Sequence, residues 1–338
     1  MYYSLIRKLL FQLEPEKAHH VTLTILRLAH SLCLLKLLPK QDAPCQVMGL
    51  SFRNPVGLAA GLDKDGDYLN ALFALGFGFI EIGTVTPKPQ PGNPLPRLFR
   101  LPSQRALINR MGFNSKGLDH VVAQLKKTRV KGVLGVNLGK NHDTPLPLAY
   151  QDYVVGFQRV APFASYVTIN ISSPNTADLR NLQQADLLKL LLQVLKQEQK
   201  KYFLANKKYV PLVVKISPDL TYEELTVMAD VFLEQNIDGV IATNTTVSRE
   251  GVLDLSLAHE AGGLSGRPLA KRSTEVIQQL APILREQIPI IGCGGIFSSG
   301  DAKAKFAAGA SLIQIYTGFV YQGPRLILEI ANYFVKTY

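Results

Sequence analysis

From about residue 55 onward, short apolar runs alternate with longer stretches of helical periodicity. The apolar runs are 56–60, 79–84, 133–138, 166–171, 211–216, 239–243, 288–292 and 311–316. Each is short and bounded by turn residues, and reads as a buried strand. Segments 185–200, 222–235, 273–285 and 300–308 carry helical patterns. Alternating strand and helix units imply a parallel sheet covered by helices. Eight such units over roughly 250 residues predict an α/β fold, a closed (β/α)8 TIM barrel. Between the second and third strands lies Pro87-Lys-Pro-Gln-Pro-Gly-Asn-Pro94. That much proline predicts a rigid excursion or lid outside the barrel.

The first forty residues show another pattern. Residues 4–13 and 17–38 read as helices, separated by Glu14-Pro15-Glu16. Proline suits a helix start, where its missing N–H costs nothing. Val21, Ile25, Leu28, Leu32 and Leu35 recur at helical spacing. Arg7, Lys8, Lys17, Arg27, Lys36 and Lys40 oppose only Glu14 and Glu16. Arg27, His30 and Lys36 interrupt the second helix, short of the ~18 apolar residues a membrane span needs. The charged Glu14-Pro-Glu-Lys17, with no small-residue cleavage site after it, is unlike a signal peptide. Two uses remain open: amphipathic helices lying in a membrane interface, or a hairpin packed on the main domain. The chain is therefore divided into a helical segment, 1–40, and a barrel domain, 41–338.

The carboxyl ends of the expected strands point to a site. Lys64 comes after the first strand, Thr84 ends the second, and Asn137 and Asn170 lie in the third and fourth. Lys215 lies in the fifth and Asn244 just past the sixth; Gly294-Gly295 come after the seventh and Tyr316-Thr-Gly318 after the eighth. Barrel active sites are built at these carboxyl ends. One polar residue there could be a cap, but eight together argue for a ligand. The fourth end is the densest, Asn170-Ile-Ser-Ser-Pro-Asn-Thr176. By itself it suits a polar ligand and a self-capping turn about equally. The other ends favour the ligand.

The candidate chemistry is that of an anion site. Gly263-Leu-Ser-Gly266, Gly292-Cys-Gly-Gly295 and Tyr316-Thr-Gly318 read as the last three rim loops. Glycine clusters let backbone N–H groups approach a phosphate, which barrels commonly bind after strands seven and eight. Neither a G-x-G-x-x-G fingerprint nor a Walker loop occurs. Lys215 sits on a strongly apolar strand and would be costly to bury without an anion. A flavin edge, anionic on reduction, would serve. Lys64 in Gly61-Leu-Asp-Lys64 is similar, with an ion pair to Asp63 as the structural alternative. Asn109-Arg-Met-Gly-Phe113 adds donors in the excursion.

Composition narrows the picture. Hydrophobic residues are 47% of 338, ample for a core, and 19% are charged. Cys33, Cys45 and Cys293 show no disulfide or zinc spacing. The net charge of +11 allows nucleic acid, membrane or small anions. No nucleic-acid signature accompanies it, so no nucleic-acid partner is expected.

The motifs Gly57-Leu-Ala-Ala-Gly-Leu-Asp-Lys-Asp-Gly66, Ile82-Gly-Thr-Val-Thr-Pro87, Ile108-Asn-Arg-Met-Gly-Phe-Asn114, Asn170–Thr176, Gly262-Gly-Leu-Ser-Gly-Arg-Pro268 and Gly292-Cys-Gly-Gly-Ile296 complete the reading. With them the chain resembles the dihydroorotate dehydrogenases of the membrane-associated, quinone-reducing class, over essentially its whole length. The resemblance implies oxidation of dihydroorotate to orotate in pyrimidine synthesis, with FMN as cofactor and ubiquinone or menaquinone as acceptor. It makes Ser173 the catalytic base, assisted by Lys64. The soluble class carries cysteine at that position and lacks the N-terminal extension. It puts the substrate among Lys64, Asn109, Arg110, Met111, Gly112, Phe113, Asn170, Asn175, Asn244 and Thr245. It assigns FMN to Ala60, Gly61, Leu62, Asp63, Lys64, Thr84, Asn137, Asn170, Lys215, Thr243, Gly266, Gly295, Tyr316 and Thr317. His19 and Arg100 match quinone-tunnel positions, and no metal is implied. The location implied is peripheral, on the cytoplasmic side of the cell inner membrane, through the N-terminal helices. The rival readings are another FMN barrel enzyme, such as a soluble dihydroorotate dehydrogenase or a tRNA dihydrouridine synthase, and a non-catalytic binder of anionic surfaces.

Overall fold

The computed structural model describes residues 2–128, 132–176 and 178–337. Its strands, in chain order, begin with β1 (Cys45–Val47), β2 (Leu50–Phe52), β3 (Val56–Leu58), β4 (Phe79–Val85), β5 (Leu98–Leu101) and β6 (Ala106–Asn109). They continue with β7 (Val133–Leu138), β8 (Tyr166–Asn170), β9 (Leu212–Ile216), β10 (Gly239–Ala242), β11 (Gly263–Gly266), β12 (Ile290–Cys293) and β13 (Ala310–Ile315). Strands β3, β4, β7, β8, β9, β10, β12 and β13 close into one parallel barrel, and these are the eight runs expected from the apolar pattern. Both strand faces are covered, which is why each run is almost wholly apolar. The register sets Asn170 beside Lys215 and Cys293 beside Gln314.

Large and small residues interlock inside the barrel. A Cβ on Gly57 would lie 2.3 Å from the Phe79 ring, and one on Gly135 2.2 Å from the Tyr166 ring. Glycine at these two positions makes room for the two aromatics, whose rings pack edge to face at 6.4 Å. The antiparallel β1–β2 hairpin, not foreseen in the sequence, packs Phe52 against Phe79 at the amino-terminal end of the barrel. Helices Ala185–Asn206, Tyr222–Glu234, Ala270–Leu284 and Ser299–Ala307 form where the helical patterns lie.

The Pro-rich excursion is more ordered than expected. Strands β5 and β6 join β11 in a three-stranded antiparallel sheet on the rim, with Phe99 opposite Ile108 and Ile108 opposite Leu264. Gly263–Gly266, expected as a rim loop, is thus a strand. Its partner β6 lies far upstream, a pairing no local pattern reveals.

The N-terminal helices are α1 (Tyr2–Leu10) and α2 (Pro15–Ser31). The Glu14 carboxylate accepts from Glu16 N (3.0 Å) and Lys17 N (2.8 Å), capping α2. The second helix was expected to run to residue 38. It ends at Ser31 because Cys33 turns left-handed (φ 59°), and a 3-10 turn, Leu34–Leu37, comes next. One face of the hairpin is tied to the barrel. Tyr3 OH donates to Val320 O, Arg7 to Tyr321 O, and Arg97 pairs with Glu16 at 2.7 Å. The other face leaves Leu5, Leu9, Ile25, Leu28, Leu32 and Leu37 exposed. Among the described residues no helix is long and apolar enough to cross a membrane.

Candidate active site

The carboxyl ends of the barrel strands surround a cavity that opens to solvent. Ala60, Gly61, Lys64, Thr84, Asn170, Lys215, Thr243, Gly295, Tyr316 and Thr317 line it from the barrel. Asn109, Met111, Gly112 and Phe113 line it from the excursion, Ser173 and Asn175 from the loop after β8, and Asn244, Thr245 and Gly266 from the segment after β10. Most of the residues selected from the sequence therefore meet at one place.

Six do not form the lining. Asn137 lies just beneath it, where its Oδ1 accepts from Thr84 Oγ1 at 2.6 Å. Leu62 is core. Asp63 turns away from Lys64 and accepts from Asp67 N (3.0 Å) and Tyr68 N (2.9 Å), so the suggested ion pair between neighbours is not made. Burial pushes its carboxyl up to about 7. Arg110 pairs with Glu260 at 2.5 Å and stacks over Phe99. His19 and Arg100 stand at the hairpin; Arg100 donates to Phe11 O (2.9 Å) and Leu13 O (2.8 Å), tying the α1–α2 turn to β5.

The amides form two hydrogen-bonded groups. Asn170 Nδ2 donates to Thr84 Oγ1 (3.0 Å), and Asn170 Oδ1 accepts from Asn244 Nδ2 (3.3 Å). Asn175 Nδ2 donates to Asn109 Oδ1 (3.1 Å), joining the serine loop to the excursion. Ser173 is 6% exposed, and its Oγ accepts from Asn175 N at 3.2 Å. A hydrogen bond donated to this oxygen favours its deprotonated form.

Burial is the first cause of the shifts in the titratable groups here. Loss of solvent, and then the nearby Arg97 guanidinium, lower the Lys64 pKa to about 7. The side chain donates to Asn114 Oδ1. His19 is held down to about 4, first by burial and then by Lys64 and His20. Burial raises Tyr316 to about 12.

Three groups in this wall lack protein partners. Among the described residues no hydrogen bond or ion pair joins Lys215, which is 6% exposed. Asn175 Oδ1 and Gln314 Oε1 are buried acceptors without a donor. A cation and two acceptors so arranged suit a planar ring bearing both carbonyls and N–H groups. The backbone at Gly266, Gly295 and Thr317 is open to a phosphate.

Sequence reasoning missed Glu81 and Gln314. Both are fully buried and bonded to each other at 2.9 Å inside the barrel. The available signal was a carboxylate and an amide in the middle of otherwise apolar strands.

The sequence model of the dihydroorotate dehydrogenase family matches residues 43–336. A dihydroorotate dehydrogenase (quinone) of Nitrosospira multiformis is 55% identical over 98% of this chain and 95% of its own length. Another, of Burkholderia thailandensis, is 56% identical over 97% and 95%. The crystal structure of DHODH in complex with ferulenol from Eimeria tenella superposes with a TM-score of 0.88 at 39% identity, covering 97% of this chain and 94% of that one. By sequence and by fold, the chain belongs to the dihydroorotate dehydrogenase family.

Proposed function

We propose that this enzyme oxidises dihydroorotate to orotate in pyrimidine synthesis and passes the electrons through FMN to a quinone, ubiquinone or menaquinone. The observation that carries the reading is convergence: Ser173, Lys64 and the amides of Asn109, Asn170, Asn175 and Asn244 share one cavity in a chain matched along nearly its full length by quinone-linked relatives. The unpartnered Lys215 and Gln314 Oε1 fit a flavin ring, the free Asn175 Oδ1 fits a substrate N–H, and the Gly266–Gly295–Thr317 backbone fits the flavin's phosphate. FMN, when bound, supplies the hydride acceptor.

The chain's own residues do the rest. Lys64 meets the substrate carboxylate. Asn109, Asn170, Asn175 and Asn244 hold its carbonyl and N–H edges, and the polarised carbonyl acidifies the neighbouring C5–H. Ser173 Oγ takes the C5 proton, aided by the Asn175 N–H that steadies charge on this oxygen. Proton loss at C5 and hydride loss at C6 leave the C5=C6 double bond of orotate. Burial of Ser173 keeps bulk water from the reacting carbon.

Residues 1–40 serve the acceptor. The hairpin's exposed leucines suit a lipid surface, and its Arg and Lys suit anionic headgroups. His19 and Arg100 would line the quinone's path between hairpin and rim, while residues 41–338 hold FMN and dihydroorotate. The enzyme is then peripheral, on the cytoplasmic side of the inner membrane. The decisive experiment is an absorption spectrum of the purified protein, then addition of dihydroorotate without oxygen. A flavin band that bleaches, and returns on adding a quinone, is expected. A colourless protein, or a yellow one indifferent to dihydroorotate, would defeat the reading.

A further inference from the structure

Inside the barrel, Glu81 has no exposed surface. Asn137 Nδ2 (2.8 Å), Tyr166 OH (2.9 Å), Thr168 Oγ1 (3.0 Å) and Gln314 Nε2 (2.9 Å) all donate to its carboxylate. A carboxylate only accepts, so each amide must turn its NH2 toward Glu81 and its carbonyl away. For Asn137 the consequence propagates through the cavity floor. Its Oδ1 accepts from Thr84 Oγ1 (2.6 Å) and Asn170 Nδ2 (3.3 Å). That fixes Asn170 with its own Oδ1 toward Asn244 Nδ2 and Ser172. For Gln314 the freed Oε1 is buried without a donor, in a residue that lines the cavity. A buried acceptor left unpaired is costly, and a ligand N–H would relieve it.

We infer that Glu81 is a positioning residue that sets the donor and acceptor pattern of the cavity floor, and that Gln314 Oε1 receives the ring N–H of the bound flavin. This rests on the FMN reading above. The oxidised isoalloxazine ring carries one N–H, at N3, between its two carbonyls, so the pairing names a single atom. Were the Gln314 amide reversed, its NH2 would face that N–H and repel it. The Glu81 charge is what forbids the reversal.

The test compares FMN with 3-methyl-FMN, which lacks the N–H, on the flavin-stripped full chain, read by flavin fluorescence. Wild-type protein should bind the methylated form more weakly, on the order of tenfold or more. Gln314→Met, similar in volume but without the acceptor, should bind both forms nearly equally. Glu81→Gln should also lose most of the discrimination although Gln314 is intact, because its amide can now turn. Should Glu81→Gln fail to fold, Glu81→Asp keeps the charge but retracts from Gln314, and discrimination must fall there too. Equal discrimination in wild type and Gln314→Met would overturn the Gln314 contact. Full discrimination in a folded Glu81 variant would overturn the orienting role. Wild-type protein that binds neither flavin would instead remove the cofactor reading itself.

Discussion

At the barrel mouth Asn137, Asn170 and Ser173 are 0%, 4% and 6% exposed, while on the hairpin Leu28, Leu32 and Leu37 are 60%, 61% and 83% exposed. Each region reverses the usual sorting of polar and apolar groups, and such reversals are the informative ones. They differ in how the reversal is compensated. The buried amides answer one another: Thr84, Asn137, Asn170 and Asn244 form one hydrogen-bonded set anchored on Glu81. Among the described residues nothing covers the exposed leucines, and the lipid surface proposed above would cover them. On the proposed reading the first region holds a small ligand and the second meets a surface.

Variants that strike one region and spare the other test this division. The largest effect belongs to Ser173→Ala. Loss of a positioned base should slow flavin reduction by dihydroorotate about 10²–10⁴-fold, monitored by stopped-flow bleaching, with FMN content and vesicle binding unchanged. A rate within twofold of wild type would remove Ser173 from the chemistry. Replacing Leu28, Leu32 and Leu37 together by serine should weaken sedimentation with anionic vesicles roughly a hundredfold while leaving the bleaching rate alone. If bleaching fell in parallel, the two regions would not be separable.

Gly135→Ala sharpens the comparison from within the barrel. The added methyl has no room beside Tyr166, whose hydroxyl bonds Glu81. Unfolding in urea should show a loss of about 1–3 kcal/mol. The smallest effect is a proton. With its pKa lowered to about 7, Lys64 is mostly neutral at pH 8, and an anionic carboxylate favours its charged form. Orotate binding should therefore take up close to one proton at pH 8 and about none at pH 5.5, measured by calorimetry in buffers of different ionisation enthalpy. Affinity should fall as pH rises through 7. Proton release at pH 8 would contradict the sign.

The barrel was legible because its strands are covered on both faces and read as unbroken apolar runs. The rim residues were legible because each barrel strand carries a polar residue or glycine at, or just past, its carboxyl end. The small rim sheet was not, since β5 and β6 are four residues each and β11 is distant in sequence. Gly263–Gly266 looked like a phosphate loop. Gly263 in fact sits so close to Thr245 that a Cβ would lie 1.9 Å from its hydroxyl oxygen. Glu81 and Gln314 were passed over because a mid-strand polar residue reads as an interruption unless its partners are known. Those partners, Tyr166 and Asn137, come from β8 and β7, which only the pairing of strands distant in sequence brings near β4.

Closure has one more consequence. All eight strands point the same way, and α2 is pinned by the Glu16–Arg97 pair beside β5, at the rim end of the cylinder. The greasy foot and the reactive opening thus share one pole. On the reading proposed above, an enzyme standing on that foot faces the bilayer with its mouth, and an oil-soluble electron carrier need never enter water.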